Sequence, residues 1–365
     1  MSLPTELLHA DALYQRLLAE IPFPRYLNPL NGSEARRAFF QGAEAPPFQY
    51  ATADLDEVGV LLRATPVPTS HPFGPLVQQA FDGLILLCEA LMDRSGERFD
   101  RINLAADWYP RPEDLREDIP DPDPAPDTPM IPAGEMMLVL QRAMRRWGLD
   151  DWRIELDPVM SSRIMVESSK RLIHVNPVAH FRRSDLRGMV AHEIGVHGLR
   201  AAAGMTQPLL LFGTGLPGAG TTEEGLAICS EERVGALGEG FERRQLALHR
   251  AVMHARSAGF REVYAETSKE VGAGVAYSIC ARIKRGLGDA GLAGVYAKDT
   301  VYLRGYRDVS RWLAAGGDLS WLYTGKVGIS HPIGDWIAEG LLRPGVAPGF
   351  WSAADPGAEI DGIAA

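Results

Sequence analysis

Two histidines five residues apart place the tightest constraint on how this chain can fold. They are His192 and His197 in GMVAHEIGVHGLR (residues 188–200), with Glu193 directly after the first. On a regular α-helix, positions five apart diverge by about 140°, whereas positions four apart diverge by only about 40°. Two imidazoles on a regular helix at this spacing could not share one ion. The stretch holds a metal only if the helix is locally underwound, as in a π-type bulge, a feature often found at functional sites. Gly195 lies between the histidines and Gly188 and Gly198 flank them; glycine lowers the cost of irregular backbone. The spacing therefore predicts an underwound helix near Gly195. HRAVMH is an internal control. His249 and His254 have the same spacing, but Arg250 takes the acid's place and no glycine intervenes, so an ordinary helix face is expected there.

Zinc prefers imidazole and carboxylate ligands, and a catalytic site keeps one position open for water. In H-E-x-x-H sites the glutamate acts as base; in this longer HExxxH form that residue is Glu193. A third ligand is available in TTEEGLA, where Glu224 follows His197 by 27 residues. Neighbouring carboxylates on a helix lie about 100° apart, so one of the pair Glu223 and Glu224 reaches the metal. Glu224 is preferred because it directly precedes Gly225. Glu223 then favours the helix N-terminus electrostatically, with Thr221 or Thr222 as the cap. Ser184 and Asp185 are expected to cap the histidine-bearing helix, which should end near Gly204.

Composition narrows the surroundings. The 365 residues are 46% hydrophobic and 23% charged, a globular balance with room for a large core. A net charge of −10 argues against nucleic acid or an anionic membrane as partner. Cys88, Cys229 and Cys280 are dispersed and odd in number, which gives no disulfide framework and favours a reducing compartment. MSLPTELLHADALYQ lacks the pattern of a signal peptide. The most apolar stretch, Phe81–Met92, is short and broken by acids, so it reads as a buried helix rather than a membrane span. These features together suggest the cytoplasm.

Along the chain, residues 1–120 read as a helical N-terminal region, with Leu7, Leu8, Leu13, Tyr14, Leu17 and Leu18 at helical spacing. Residues 121–132 lie in an acidic, proline-studded stretch that reads as a loop or linker and a boundary. Residues 133–345 follow as the catalytic unit. In it, Trp152–Asp157, Arg163–Ser168 and Arg171–Pro177 are short and β-rich and suggest a small sheet. The glycine-rich LFGTGLPGAG lacks the ending of a phosphate loop and reads as a connector. The chain is again mostly helical to about residue 342. Residues 346–365, rich in proline and glycine, are expected to be loose. The fold class is α+β, predominantly helical, with the small sheet beside the metal-binding helix.

HEIGVHGLR, TTEEGLA, RIKRG, KDTVYLRG and GKVGI occur in this order, preceded by RYLNPLNGSEARRAFF. Together they resemble the QEGLA-motif family that includes the microtubule-associated tyrosine carboxypeptidases, over about residues 10 to 345. The first letter of QEGLA is Glu223 here. The resemblance implies a gluzincin-like metallopeptidase core in which His192, His197 and Glu224 hold one zinc ion (Zn2+) and Glu193 is the base. Arg200 fits the family pattern too, without a task beyond support of the ligands.

The resemblance further implies a carboxypeptidase that removes an aromatic residue, tyrosine or phenylalanine, from the C-terminus of a peptide or protein. Glu193 would take the proton of an attacking water that zinc acidifies, then pass it to the leaving amine. Such an enzyme must hold the substrate's terminal carboxylate, and the planar fork of arginine suits that best. CARIKRGLGD supplies Arg282, Lys284 and Arg285, and YAKDTVYLRG adds Lys298 and Tyr302. Arg282 or Arg285 is expected to bind the carboxylate, and Tyr302 to donate to the developing oxyanion. The alternative is a metal-binding regulatory protein without peptidase activity, because bacterial members carry a name that suggests modulation of flavohaemoglobin expression. A structural zinc site is closed by four protein ligands. Only three good ones stand in this sequence, which favours catalysis over the regulator.

Overall fold

The computed structural model describes residues 3–115, 129–160 and 162–364. Its N-terminal part is helical, as the periodicity predicts, with helices at Thr5–Glu20, Phe23–Leu27, Gly32–Phe40, Asp56–Ala64, Gly74–Asp93 and Gly96–Ala105. Gly74–Asp93 is long and apolar enough to cross a membrane by composition. In the fold, its Val77, Phe81, Leu84, Cys88 and Leu91 are buried in a protein core.

That core does not stop at the expected boundary. Leu7 and Phe81 share it with Val196 of the histidine stretch and with Phe212, Leu226 and Tyr323. The N-terminal helices thus support the back of the site. Most of the expected linker, residues 121–128, lies outside the described residues. Its end is not a loop: Met130–Pro132 forms strand β1. Pro132 can end a strand in so small a ribbon because its missing donor leaves no central ladder incomplete.

Arg153–Leu156 (β2), Ile164–Glu167 (β3) and Leu172–Val175 (β4) match the three expected strands. They form one sheet with β4 central, parallel to β2 and antiparallel to β3. A fifth strand, His180–Arg182 (β5), pairs antiparallel with β1. Ile173 and Val175 of β4 share a second core with Val190, Ala191 and Ile194. The sheet is therefore packed beside the histidine-bearing helix, where the sequence places it.

The C-terminal residues depart from expectation. Gly349–Trp351 forms a 3₁₀ turn and Pro356–Ala364 a helix. Phe350 and Ile360 are fully buried in the second core, with Ile363 nearly so. Ile360 and Ile363 lie three apart and so share one helix face. That pairing outweighs the proline and glycine around it. Cys88, Cys229 and Cys280 are buried and unbridged.

Candidate metal centre and active site

The histidine helix is continuous but not uniform. Asp185–Met189 and Leu199–Gly204 are α-helical, and Val190–Gly198 between them is a π-helix. At its end the Leu199 N–H bonds the Ile194 carbonyl, five residues back. This winding brings residues five apart onto one face. The rings of His192 and His197 lie 4.8 Å apart, centroid to centroid. The underwinding predicted from the spacing is present where it was placed. Gly195 has a packing reason as well: a Cβ there would lie 2.9 Å from the Phe350 ring. The Tyr323 hydroxyl donates to the Gly195 carbonyl at 2.8 Å and accepts from the Trp351 indole at 2.8 Å. In the control stretch, Phe241–Ala255 is an ordinary α-helix. There His249 is buried and donates to the Thr300 carbonyl at 3.1 Å, while His254 is half-buried.

Glu224 comes from the neighbouring helix, Gly220–Arg233. This helix crosses Val301–Ala314 at near backbone contact, since a Cβ on Gly225 would lie 2.2 Å from the Gly305 backbone. The close crossing leaves no room for any side chain directly after Glu224. The expected threonine cap is not formed, because the helix starts earlier, at Gly220. Thr222 instead accepts from the Ile329 N–H at 3.0 Å. At the other helix, the Asp185 carboxylate pairs with Arg163 at 2.7 Å.

The Glu224 Oε2 atom lies 3.8 Å from His192 Nε2 and 3.5 Å from His197 Nε2. It is buried and has no hydrogen-bond partner. Glu193 is buried as well, and its carboxylate falls with the two histidines in a group whose potential ligand atoms lie within 4.8 Å. Geometry alone thus offers two carboxylates. What distinguishes Glu224 is its orphaned oxygen, which faces both Nε2 atoms.

The opposite ring nitrogens are fully engaged. His192 Nδ1 donates to Glu231 at 2.6 Å and His197 Nδ1 donates to Glu223 at 2.7 Å. Glu223 in turn pairs with Arg200 and, at 3.1 Å, with Lys326. Arg200 is completely buried and also donates to the carbonyls of Leu322, Gly325 and Val327. It ties the glutamate helix to the 322–327 turn. Burial would push Glu223 up, but Arg200, Lys326 and His197 outweigh it and hold the carboxyl far below the usual range. Glu231 was not singled out in the sequence, yet its position gave a signal. It follows Glu224 by seven residues, two helical turns along the same face.

These residues fit a zinc ion. Ligand atoms about 2.1 Å from a tetrahedral ion are about 3.4 Å from one another, close to the separations from Glu224 to the two imidazoles. Burial opposes charge on the imidazoles, but the carboxylates prevail. Glu231 and Glu193 raise His192, and Glu224 and Glu223 push His197 up to about 10. The cage is built to hold positive charge between its carboxylates, and a divalent cation can take the place of those protons. Carboxylates on the far nitrogens also fix each ring's tautomer and orientation, as is usual for metal-bound histidine.

The basic segment is divided by the fold. Arg282 and Arg285 both grip Asp299, at 2.7 and 3.1 Å and at 2.9 and 3.2 Å. Arg282 is near enough to the ligands for Glu224 to stabilise its charge. Arg285 is buried against the Tyr296 ring. Lys284 is not brought to the site. It is fully buried, and its ammonium donates to the Ala258 and Leu292 carbonyls at 2.7 Å each. Burial lowers its pKa to about 8. Lys298 is exposed and close enough to help hold the Glu224 carboxyl down. Tyr302 feels Glu224, Arg282, Asp299 and Glu193. Burial, reinforced by Glu224, raises its phenol well above the ordinary value and keeps the proton in place.

Residues 95–354 match the family described as microtubule-associated tyrosine carboxypeptidase. This chain belongs to that family. The match contains the histidine stretch, both glutamate partners and the Arg282–Tyr302 region. A human microtubule-associated tyrosine carboxypeptidase 1 is 35% identical over 156 residues, covering 41% of this chain and 32% of that protein. The rat protein of the same name is 33% identical over 181 residues, covering 47% and 38% respectively. The matched part of the chain thus spans about a third of the length of these relatives.

Proposed function

We propose that this protein is a zinc-dependent metallocarboxypeptidase that removes a C-terminal residue from peptides or proteins. The observation that carries the reading is the convergence of His192 Nε2 and His197 Nε2 on the unpartnered Glu224 Oε2. His192, His197 and Glu224 would hold the ion. When bound, zinc acts as a Lewis acid, lowering the pKa of water and polarising a carbonyl.

The chain's own groups supply the remaining chemistry. Glu193 takes the proton of the attacking water and delivers it to the departing amine. Tyr302 keeps its proton and donates to the oxygen on which negative charge develops. Glu231 and Glu223 hold the two imidazoles in place. Lys298, Arg282 and Arg285, offset by the single carboxylate of Asp299, leave this side of the site positive, which suits a substrate ending in a carboxylate. The relatives' names support tyrosine as the terminal residue, and the reading extends to phenylalanine as the other aromatic residue of similar size.

The test is mass spectrometry of peptides ending in tyrosine, phenylalanine or alanine after incubation with the zinc-loaded protein. Loss of the last residue alone, abolished by Glu193→Gln, is the expected result. Internal cuts, or no cleavage of any peptide, would overturn the proposal. Metal analysis of Glu224→Ala checks the ligand set independently, and full zinc retention would remove Glu224 from it.

A further inference from the structure

The family match begins at residue 95, yet one wall of the site is held by residues that precede it. Arg282 and Arg285 both pair with Asp299. Asp299 stands in the turn Lys298–Thr300, which leads into the helix Val301–Ala314. Tyr302 follows Asp299 by three residues and Gly305 follows Tyr302 by three, so the three positions are spaced about one turn apart. Gly305 meets the backbone of Gly225, the residue after Glu224. The arginine pair therefore stands about two turns from the helix crossing beside Glu224.

Behind the pair, the chain turns directly after Arg285. Gly286 has a left-handed backbone, φ +86°, and a Cβ there would lie 2.6 Å from the Phe99 ring and 2.8 Å from Leu27. Both of its backbone groups are held by the N-terminal region. The Gly286 N–H donates to the Tyr50 hydroxyl at 3.0 Å, and its carbonyl accepts from the Arg94 guanidinium at 3.1 Å. Two residues on, the Gly288 N–H donates to the Arg94 carbonyl at 2.9 Å. Arg94 is itself fixed. It donates to the Tyr26 and Ala51 carbonyls at 3.0 Å each and lies over the Tyr50 ring, 4.4 Å from the centroid. It also ends the helix Gly74–Asp93 in the left-handed conformation, φ 60°. A non-glycine residue keeps that conformation where its surroundings hold it. Tyr26, Tyr50, Ala51 and Arg94 all precede the matched residues 95–354.

We infer that Tyr50 and Arg94 are positioning residues: they clamp the Gly286 turn and, through it, hold the Arg282–Arg285–Asp299 cluster where the substrate's terminal carboxylate arrives. The inference rests on the peptidase reading above. A binding group works when it is held within about 0.5 Å of its productive place by neighbours that are themselves locked. Arg94 meets that condition through three carbonyls and a ring, and Tyr50 through the ring that Arg94 covers. Neither residue touches the substrate. The N-terminal helices are then part of the substrate-binding machinery, not an appended module.

The test reads binding rather than turnover. In the zinc-loaded Glu193→Gln protein, a fluorescent peptide ending in tyrosine is compared with the same peptide as its C-terminal amide. The free acid should bind at least about tenfold more tightly, as expected for a charge-assisted contact. Tyr50→Phe removes the hydroxyl and keeps the ring beneath Arg94. It should cut the acid's advantage by about threefold or more, as expected for one lost hydrogen bond. Arg94→Met should cut it by about tenfold, and Arg94→Lys should restore part of it. Zinc affinity and affinity for the amide should stay unchanged in each variant, which general loosening of the fold would not allow. An undiminished advantage in Tyr50→Phe overturns the inference, even if Arg94→Met does not fold. So does equal weakening of acid and amide, or a fall in zinc affinity, because either would mean support of the whole fold. If the unmodified protein binds both peptides alike, the arginine wall is not the carboxylate's place and the inference falls, whether or not peptides are cleaved. Cleavage by the active enzyme, with the acid's advantage intact in both variants, refutes only the clamp.

Discussion

His192 Nδ1 donates to Glu231 Oε1 at 2.6 Å, joining residues 39 positions apart on two packed helices. The bond turns the ring so that its other nitrogen faces Glu224. Supporting carboxylates of this kind typically contribute 10- to 100-fold in metal affinity, roughly. Glu231→Gln should therefore weaken zinc binding by about that factor in a chelator competition, with the circular dichroism spectrum unchanged. Zinc affinity equal to that of the unmodified protein would show that the bond has no such role.

Gly225 and Gly305 let the glutamate helix and Val301–Ala314 meet at their backbones. A methyl group on Gly225 would have to displace backbone atoms 2.2 Å away. Overpacking of this kind costs about 1–3 kcal/mol and shifts the backbone. Gly225→Ala should lower thermal stability and weaken zinc binding together, since Glu224 is the preceding residue. Gly220→Ala gives the contrast. Gly220 lies on the same helix with nothing within 4 Å of its added Cβ, so that change should be neutral or mildly stabilising. Equal melting temperatures for the two variants would refute the argument.

The features legible in the sequence were local ones. The spacing of His192 and His197 with an intervening glycine implies the π-helix. The three β-rich runs around 152–177 gave the three-stranded sheet. Features built from distant partners were hidden. Nothing near Arg282 and Arg285 in the chain announces that Asp299 will bind both. Nothing near Lys284 shows that two backbone carbonyls will enclose its ammonium. Composition misled at the C-terminus, where Phe350, Ile360 and Ile363 find a core that proline and glycine content cannot reveal. Arg200 matched a family pattern, but its role became clear only when three carbonyls of the 322–327 turn surrounded it.

Tyr323 connects that C-terminal region to the histidine helix. Its hydroxyl spans the Gly195 carbonyl and the Trp351 indole. Tyr323→Phe leaves that carbonyl without this partner, and the indole N–H as well. Stranding a buried polar group costs about 1–3 kcal/mol. The variant should unfold at lower denaturant concentration, and hydrogen exchange should quicken selectively in residues 190–198. Unaltered exchange across that segment would show that the π-helix holds its winding without Tyr323.

His249 makes stability depend on pH away from the metal site. Burial holds its imidazole down to about 4, against the opposing pull of the Thr300 carbonyl and Asp114. In the unfolded chain the same group titrates near about 6.5. Above that value neither state carries the proton, and below about 4 both do. Between them only the unfolded chain is protonated, so stability falls as pH drops through the window. The full shift corresponds to about 3 kcal/mol at most. His249→Gln can still donate to Thr300 but cannot charge. Urea unfolding at pH 7 and pH 4.5 should show the unmodified protein losing more stability than the variant over that interval. Equal losses in the two proteins would mean that His249 is not the group that senses the change.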